Sequence, residues 1–163
     1  MKILVVSDSH GAVDALTKAI EANIHVVVQH VFHLGDGCDD MDVFVCRYPN
    51  VIFHVLQGNC DMFSSSGISY PNKLIVDVEG KKILAAHGHK YGVKTSYDRM
   101  CYAALEAGAD ICLFGHTHAQ TNFEYEGIQF VNPGAIYQHG KTPNYAIIDI
   151  SDNSVSVRLN PLI

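Results

Sequence analysis

The sequence predicts an α/β protein in which two β-sheets pack together and helices cover the outside. Short apolar segments alternate with helical ones in roughly the first 60 residues, and hairpin patterns dominate the remainder. Alternation of this kind is typical of right-handed βαβ units, whereas hairpins add antiparallel strands, so we expect mixed sheets. The chain has 163 residues, of which 48% are hydrophobic, enough for one well-packed core. No linker or repeat divides it, and we expect a single domain over residues 1–163.

The first half predicts three strands, each ending in a polar turn that contains glycine or leads to it. Apolar residues recur at helical spacing between the first two strands, which predicts an α-helix there. A second helix is expected between the second and third strands. The predicted strands are residues 2–6, 31–34 and 51–56, and the predicted helices are residues 12–22 and 41–48.

The second half predicts three hairpins, one helix and one further strand. Glu79-Gly80 is a tight turn signal between two apolar segments. Gly108 follows the helical pattern and is a plausible C-terminal cap, because glycine adopts the left-handed backbone conformation easily. The predicted hairpins pair residues 73–78 with 81–86, 122–126 with 128–132 and 145–150 with 155–159; the helix is 96–107 and the strand 111–114.

Composition and charge exclude several classes of protein. The net charge is −6, and 11 Lys and Arg residues are scattered along the chain, which disfavours binding to long nucleic acids. The N-terminal apolar run is too short for a signal peptide, and no segment approaches the length of a membrane span, so we expect a cytoplasmic protein that binds no membrane. The five cysteines show no CxxC spacing, and we expect four of them to be small core residues; the exception is Cys60.

Five turns at predicted strand ends carry Asp, Asn or His. In an open α/β sheet, ligands bind beyond the carboxyl ends of the strands, so these turns are expected to meet at one site. Each motif alone is also compatible with an ordinary turn or helix cap, but the ordered set of five is typical of a metal centre. The turns are residues 8–10 (DSH), 35–36 (GD), 58–59 (GN), 87–89 (HGH) and 115–118 (GHTH).

The donor types indicate two divalent transition metal ions. Imidazole and carboxylate ligands without a thiolate set suit Mn, which we expect, with Ni, Fe, Zn or Co as alternatives. Seven donors exceed one four-coordinate site but fit two metals that share a carboxylate, and Asp36 is the natural bridge. The sequence contains neither a P-loop nor a dinucleotide-binding or nucleophile-elbow motif. The remaining histidines belong to no such motif: His25, His30, His33, His54 and His139. Of these, His33 and His54 lie within predicted strands, and we expect them to be satisfied core or sheet-face residues.

The motif order D-x-H, GD, GN-x-D, HGH and GHTH resembles the calcineurin-like metallophosphoesterase superfamily, from Asp8 to the turn at residues 132–134. The short chain and the sequence GNCD are similar to the small YfcE-type phosphodiesterase branch. The resemblance implies a four-layer α/β/β/α sandwich. It also implies hydrolysis of a small phosphodiester through attack by a metal-bridging hydroxide. A homo-oligomer is compatible with the sequence. The alternative is a catalytically weak protein-interaction scaffold of the same fold, similar to the retromer subunit.

The resemblance also implies a role for each site residue. Asp8, His10 and His118 match ligands of a first metal, and Asn59, His87 and His116 match ligands of a second, with Asp36 shared. His89 is expected to support the ligands or to face the substrate, rather than to bind metal. Asp39 and Asp40 receive no role, and the turn at residues 132–134 is expected to shape the rim.

Cys60 departs from the superfamily pattern, which has histidine there, paired with an aspartate that corresponds to Asp61. Because a thiol is a poor general acid, we expect preference for substrates with good leaving groups. Asn59, Asp36, Cys60 and Asp61 are the candidate catalytic residues.

Overall fold

The computed structural model describes residues 1–24, 28–62, 65, 67–151 and 154–163, and His25 lies outside this part of the chain. It contains two mixed five-stranded β-sheets and three α-helices. This confirms the predicted α/β class with two mixed sheets. The α-helices are α1 (Val13–Ile24), α2 (Asp42–Arg47) and α3 (Asp98–Ala107), and short 3-10 turns cover Cys38–Met41 and His89–Tyr91.

The first sheet has the strand order β10-β9-β1-β2-β3. β1 and β2 are parallel, as are β2 and β3, which is the arrangement expected of the βαβ units in the first half. The hairpin β9–β10 adds two antiparallel strands beside β1. The strands are β1 (Lys2–Val6), β2 (Val28–His33), β3 (Ile52–Val55), β9 (Asn144–Ser151) and β10 (Ser154–Pro161).

The second sheet has the strand order β4-β5-β6-β8-β7. Its centre is parallel, because β6 pairs in parallel with both β5 and β8. Hairpins supply the two edge strands. The strands are β4 (Lys73–Val78), β5 (Lys81–Ala86), β6 (Ile111–Phe114), β7 (Gln120–Tyr125) and β8 (Ile128–Pro133).

Side chains along the central strands point alternately to the two faces of each sheet. The core therefore forms three clusters, one between the sheets and one on the outer face of each, and these clusters separate four layers. On β1, Ile3 and Val5 pack between the sheets together with Ile83 of β5. Leu4 faces the other way, into a cluster that contains Leu16 of α1 and Phe44 of α2. A third cluster joins α3 to the outer face of the second sheet. The expected α/β/β/α order of layers is therefore confirmed.

Several predicted boundaries differ from the observed ones. β2 begins at Val28 because Val28 and His30 continue the parallel pairing with β1, on either side of a register shift. The helix expected over residues 41–48 is a 3-10 turn followed by α2. α3 begins at Asp98 because the hydroxyl of Ser96 accepts the Asp98 N–H, which ends the preceding loop (3.1 Å). Gly108 has a φ of 61° and caps α3 as expected.

The cysteines are all free, and Cys38 and Cys112 are buried as expected. The expectation is wrong for Cys46, which is exposed because it lies on the solvent face of the short helix α2. No helix within the described residues has both the length and the apolar character that a membrane crossing requires.

Candidate metal centre

The five polar turns follow β1, β2, β3, β5 and β6, so the first sheet supplies three of them and the second sheet two. The turns converge because the backbone pairs them: Asp8 N–H bonds to Gly35 O, and Gly115 N–H bonds to His87 O, both at 2.9 Å. Six of the seven predicted ligands then divide into two clusters of three, within which the donor atoms lie no more than 4.8 Å apart.

The first cluster contains Asp8, His10 and His118. Asp8 is fully buried, and its Oδ1 lies 3.1 Å from His118 Nε2 and 3.9 Å from His10 Nε2. The other carboxylate oxygen accepts the Ser7 hydroxyl and the backbone N–H of His116. Oδ1 itself has no well-oriented hydrogen bond within the described residues. A buried carboxylate oxygen in this state is suited to a cation.

The second cluster contains Asp36, His87 and His116. His87 is fully buried, and its Nε2 lies 3.4 Å from Asp36 Oδ2 and 3.1 Å from His116 Nδ1. The same Oδ2 lies 3.7 Å from Nε2 of His10, which belongs to the first cluster. Asp36 is therefore placed between the two clusters, where a bridging ligand would lie.

Carboxylates and imidazoles shift one another's pKa values in this site. Burial alone would raise the pKa of Asp8, but the adjacent His118 and His87 imidazoles and the Ser7 hydroxyl outweigh it and lower the pKa. For Asp36, burial is likewise outweighed by His87 and by the Cys60 N–H, so its pKa falls well below the usual range. Both carboxylates are thus ionised and ready to bind cations at neutral pH.

The pKa is lowered for one imidazole of the site and raised for two others. Burial lowers the pKa of His116 to about 4, with a further contribution from the charge on His87. His116 is therefore a neutral donor at pH 7, as metal binding requires. Burial also disfavours the charged form of His87, but Asp36 and Asp8 reverse this effect and raise its pKa. The contact with Asp8 raises the pKa of His118.

Five of the seven predicted ligands have left-handed backbone conformations. The φ values are 52° for Asp8, 44° for His10, 57° for Asp36, 67° for His116 and 59° for His118. Among the described non-glycine residues, only Glu79 and Glu126 also have positive φ, and both lie in hairpin turns. Strain of this kind costs on the order of 1–3 kcal/mol per residue and is concentrated at functional sites. The backbone conformations therefore indicate a functional site at the two ligand clusters, independently of the side-chain chemistry.

A network that the sequence did not reveal joins the first two turns of the first sheet. The buried Ser9 hydroxyl donates to Asp40 Oδ2 (2.6 Å), which also accepts the Gly11 N–H (3.0 Å). His33 Nε2 lies 3.0 Å from Ser9 Oγ, and His33 Nδ1 accepts the Gly35 N–H (3.2 Å). Asp40 thus has a structural role, and His33 is a satisfied core residue as expected.

Asn132 secures the GHTH turn of the second sheet. Its side chain is fully buried, and the amide donates to Gly115 O (2.9 Å) and Thr117 Oγ1 (3.0 Å). The turn at residues 132–134 therefore supports the His116 and His118 loop from below, rather than shaping the rim. The His87 ring is oriented from across the sheet interface, because its Nδ1 bonds to Leu34 O (2.9 Å). A hydrogen bond of this kind fixes the tautomer that leaves Nε2 free for metal.

Among the remaining predicted site residues, Cys60 has its Sγ within 4.8 Å of donor atoms of His10 and Asp36. Asn59 and Asp61 lie in the same turn after β3, and His89 lies in the turn after β5. Asn59 is exposed, and within the described residues its side-chain amide bonds to Cys60 Sγ (3.3 Å). Burial and the Asp36 carboxylate raise the pKa of the Cys60 thiol to about 11. The ring of His89 is tilted against that of His87, with an angle of 52° between the ring planes and 5.4 Å between the centroids. Asp61 receives backbone hydrogen bonds and has no direct bond to Cys60 in the described contacts.

Comparison with known proteins assigns the family. The domain description "Calcineurin-like phosphoesterase superfamily domain" matches residues 1–153 of this chain. The chain belongs to this superfamily. The motifs that suggested the phosphoesterase family in the sequence all lie within the matched range, so the resemblance is confirmed.

Relatives of this phosphoesterase match nearly its whole length. It is 31% identical to "Probable metallophosphoesterase YsnB" from Bacillus subtilis, over 97% of this chain and 89% of that one. It is 24% identical to "Phosphodiesterase YfcE" from Escherichia coli, over 99% of this chain and all of the other.

Solved structures confirm the fold of the phosphoesterase domain. A predicted phosphoesterase from Streptococcus pneumoniae superposes with a TM-score of 0.81 at 28% identity, covering 99% of this chain and 89% of that chain. Vps29 from Entamoeba histolytica, complexed with Zn²⁺, gives a TM-score of 0.75 at 20% identity over the full length of both chains. The latter likeness concerns the fold alone.

Proposed function

We propose that this chain is a phosphodiesterase with a dinuclear metal centre. The observation that carries the proposal is the position of Asp36, whose Oδ2 lies between His10 of one ligand cluster and His87 of the other. The buried Oδ1 of Asp8, which lacks a well-oriented hydrogen bond in the described structure, adds a second argument for a cation. The relatives named as metallophosphoesterase and phosphodiesterase support the same reaction class.

Each proposed metal is assigned its own ligands. Asp8, His10 and His118 would hold one, His87 and His116 would hold the other with Asn59, and Asp36 would contact both. Mixed imidazole and carboxylate donors suit Mn, with Ni, Fe, Zn or Co as alternatives. When bound, such a pair of ions supplies positive charge for the phosphoryl oxygens and lowers the pKa of water towards neutrality.

The residues beside the proposed metals favour a small substrate with a good leaving group. The cleft that contains His10, Asp36 and Cys60 has a volume of about 210 Å³, and a second cleft of about 320 Å³ adjoins His118. The Cys60 thiol, whose pKa is about 11, is a weak acid, and burial lowers the pKa of His89 so that its ring is mainly neutral at pH 7. Neither group donates a proton efficiently, so a leaving group that departs as a stable anion reacts fastest.

The test is hydrolysis of bis(p-nitrophenyl) phosphate by protein that has been treated with chelator and then reloaded with Mn²⁺. We expect turnover only after reloading. Asp77→Asn is the matched control for variants of the site carboxylates, because Asp77 is exposed and pairs with Lys82 at the turn end of the β4–β5 hairpin, the opposite end of β5 from His87. A panel of monoesters, diesters and cyclic nucleotides then defines the substrate, with diesters expected to react best. Turnover that is unchanged after chelation would contradict the proposal.

A protein-interaction scaffold is the second candidate function. It is favoured by an apolar cleft of about 620 Å³ beside α2 and β3, which includes Val45, Phe53 and Ile68. Val45 and Ile68 are exposed there. A scaffold without catalysis predicts no metal-dependent turnover on any member of the substrate panel, so the same experiment separates the two functions.

A further inference from the structure

The carboxylate of Asp61 is engaged with the backbone on both of its oxygens. Oδ2 accepts the N–H groups of Asp36 and Gly58, each at 2.7 Å. Oδ1 accepts those of Gly37 (2.8 Å) and Cys38 (3.2 Å). One half-buried side chain therefore ties the turn after β2 to the turn after β3. Four donors approximately exhaust the lone-pair directions of a carboxylate.

The same two turns are joined in the opposite direction by Asp36. Its Oδ1 accepts the N–H of Cys60 at 2.8 Å, which leaves Oδ2 directed at the two histidine clusters. The turns can approach this closely because Gly35 and Gly58 lie face to face, and a side chain at Gly58 would overlap the Asp36 carboxylate. The backbone of Asp36 is held in the left-handed conformation, at a φ of 57°.

We propose that Asp61 is a positioning residue that fixes both the strained backbone and the carboxylate orientation of Asp36. It acts on the proposed metal bridge through three consecutive N–H groups, from Asp36 to Cys38, and not through a proton delivered by Cys60. This inference rests on the proposed function only in that Asp36 binds metal. Cys60 also helps to hold the Asp36 carboxylate, through its backbone N–H. Its thiol contacts Asn59 and Asp36.

The direct test is Asp61→Asn, which preserves size and removes the negative charge. An amide nitrogen would face backbone donors, so at least two of the four hydrogen bonds are lost. We expect Mn²⁺ affinity, measured by calorimetry, to fall about 10–100-fold, the usual effect of removing a group that orients a ligand. We also expect faster hydrogen exchange at the Asp36, Gly37 and Gly58 amides of the metal-free protein. Asp77→Asn makes the same chemical change at an exposed site and should alter neither quantity.

Aryl diesters with different leaving groups distinguish positioning from proton transfer. Positioning predicts that Asp61→Asn lowers turnover by the same factor for every leaving group, and that a higher Mn²⁺ concentration restores much of it. Unchanged Mn²⁺ affinity and amide exchange, combined with a loss confined to poor leaving groups, would overturn the proposal. If wild-type protein binds Mn²⁺ without turning over any diester, the proposed function fails while the affinity and exchange results still decide the role of Asp61.

A milder variant covers the case in which Asp61→Asn does not fold. Gln57 donates a hydrogen bond from its side-chain amide to the carbonyl oxygen of Asp61 (3.2 Å) and so helps to hold the backbone of Asp61 in place. Gln57→Ala should weaken Mn²⁺ binding and increase amide exchange at Asp36 in the same direction, by a smaller factor. An unchanged Asp36 exchange rate and Mn²⁺ affinity in this variant would count against the positioning role.

Discussion

The two sheets contribute different chemistry to one site. The turns of the first sheet supply both carboxylates, Asp8 and Asp36, whereas the turns of the second sheet supply only imidazoles. The carboxylate turns are braced by two further carboxylates, Asp61 and Asp40, which accept backbone and hydroxyl hydrogens. The GHTH turn is held instead by side-chain amides, those of the buried Asn132 and of Gln138.

This difference indicates how such a site is kept ready for metal. Two buried carboxylates repel each other and require fixed backbone donors to hold them in place, so that side is the more heavily braced. The imidazoles need mainly orientation, which the hydrogen bond to Leu34 O supplies for His87. Each ligand cluster draws on both sheets, and a bound cation would therefore link the two halves of the sandwich.

The largest expected effect comes from removing one ligand from each cluster in turn. Asp8→Ala should abolish metal binding at the first cluster, and His116→Ala should do so at the second, with one metal retained in each variant. Because a metal supplies several kcal/mol of transition-state stabilisation, turnover should fall about 10³-fold or more in both. Elemental analysis with parallel kinetics checks this. Loss of both metals in either single variant would show that the clusters are not separate sites.

Cys60→His places an imidazole on the carboxylate-bearing side, where the superfamily pattern has one. General acid catalysis typically contributes about 10²–10⁴-fold, so diesters with poor leaving groups should gain up to that factor while aryl diesters change little. Rates across a series of leaving groups measure the effect. Equal rates for wild type and variant on poor leaving groups would mean that another residue already supplies the proton.

Asn132→Ala tests the buried side-chain support of the GHTH turn. The substitution leaves the buried carbonyl of Gly115 without its amide donor, which costs about 1–3 kcal/mol of unfolding free energy. The His116 and His118 loop loosens, and we expect Mn²⁺ affinity to fall about 10–100-fold. Asp40→Asn is the counterpart on the other sheet and should act less strongly, because Asp61 still braces that side. Equal losses in the two variants would remove the proposed difference in bracing.

The smallest expected effect concerns acid stability of the first sheet. Burial, then the neighbouring His30, lowers the pKa of His54 to about 4, below the 6.5 of an ordinary histidine. Between these pH values the unfolded chain binds a proton that the folded chain does not, so this group's contribution to stability is present above pH 6.5 and is lost as the pH falls. The slope of unfolding free energy against pH between 6.5 and 4 should therefore be smaller for metal-free His54→Gln than for metal-free wild type. The difference in slope corresponds to at most one bound proton. Urea titrations at several pH values provide the measurement, and an identical pH dependence in both proteins would contradict the expectation.

The fold and the ligand turns could be predicted from local sequence. Apolar segments defined the strands, and the carboxyl ends of parallel strands meet at one edge, so Asp8, Asp36 and His87 were expected to converge. That rule accounts for the convergence within each sheet. The approach of the turns across the two sheets depends on contacts such as those of His87 with Leu34 O and of the His116 N–H with Asp8 Oδ2. Their assignment to metals stays a prediction of the sequence that the geometry supports.

The bracing roles of Asp61 and Asp40 could not be predicted, because the partners of these side chains are remote in sequence. Asp61 bonds to residues 23–25 positions earlier, and Asp40 to the backbone of Gly11, 29 positions earlier. Neither residue belongs to a motif whose spacing requires that contact. The left-handed φ values of the ligands likewise depend on how the turns pack against one another. Asn132 was recognised only as part of a turn, since its role depends on its complete burial.

The central claim is that Asp36 joins two metal sites, and metal stoichiometry tests it most directly. Wild-type protein reloaded with Mn²⁺ should contain two ions per chain by elemental analysis. Asp36→Ala should retain its fold by circular dichroism and lose both ions together, because its Oδ2 is the atom that faces both clusters. Asp77→Asn, the exposed control, should keep two. An Asp36→Ala protein that still holds two ions would contradict the account.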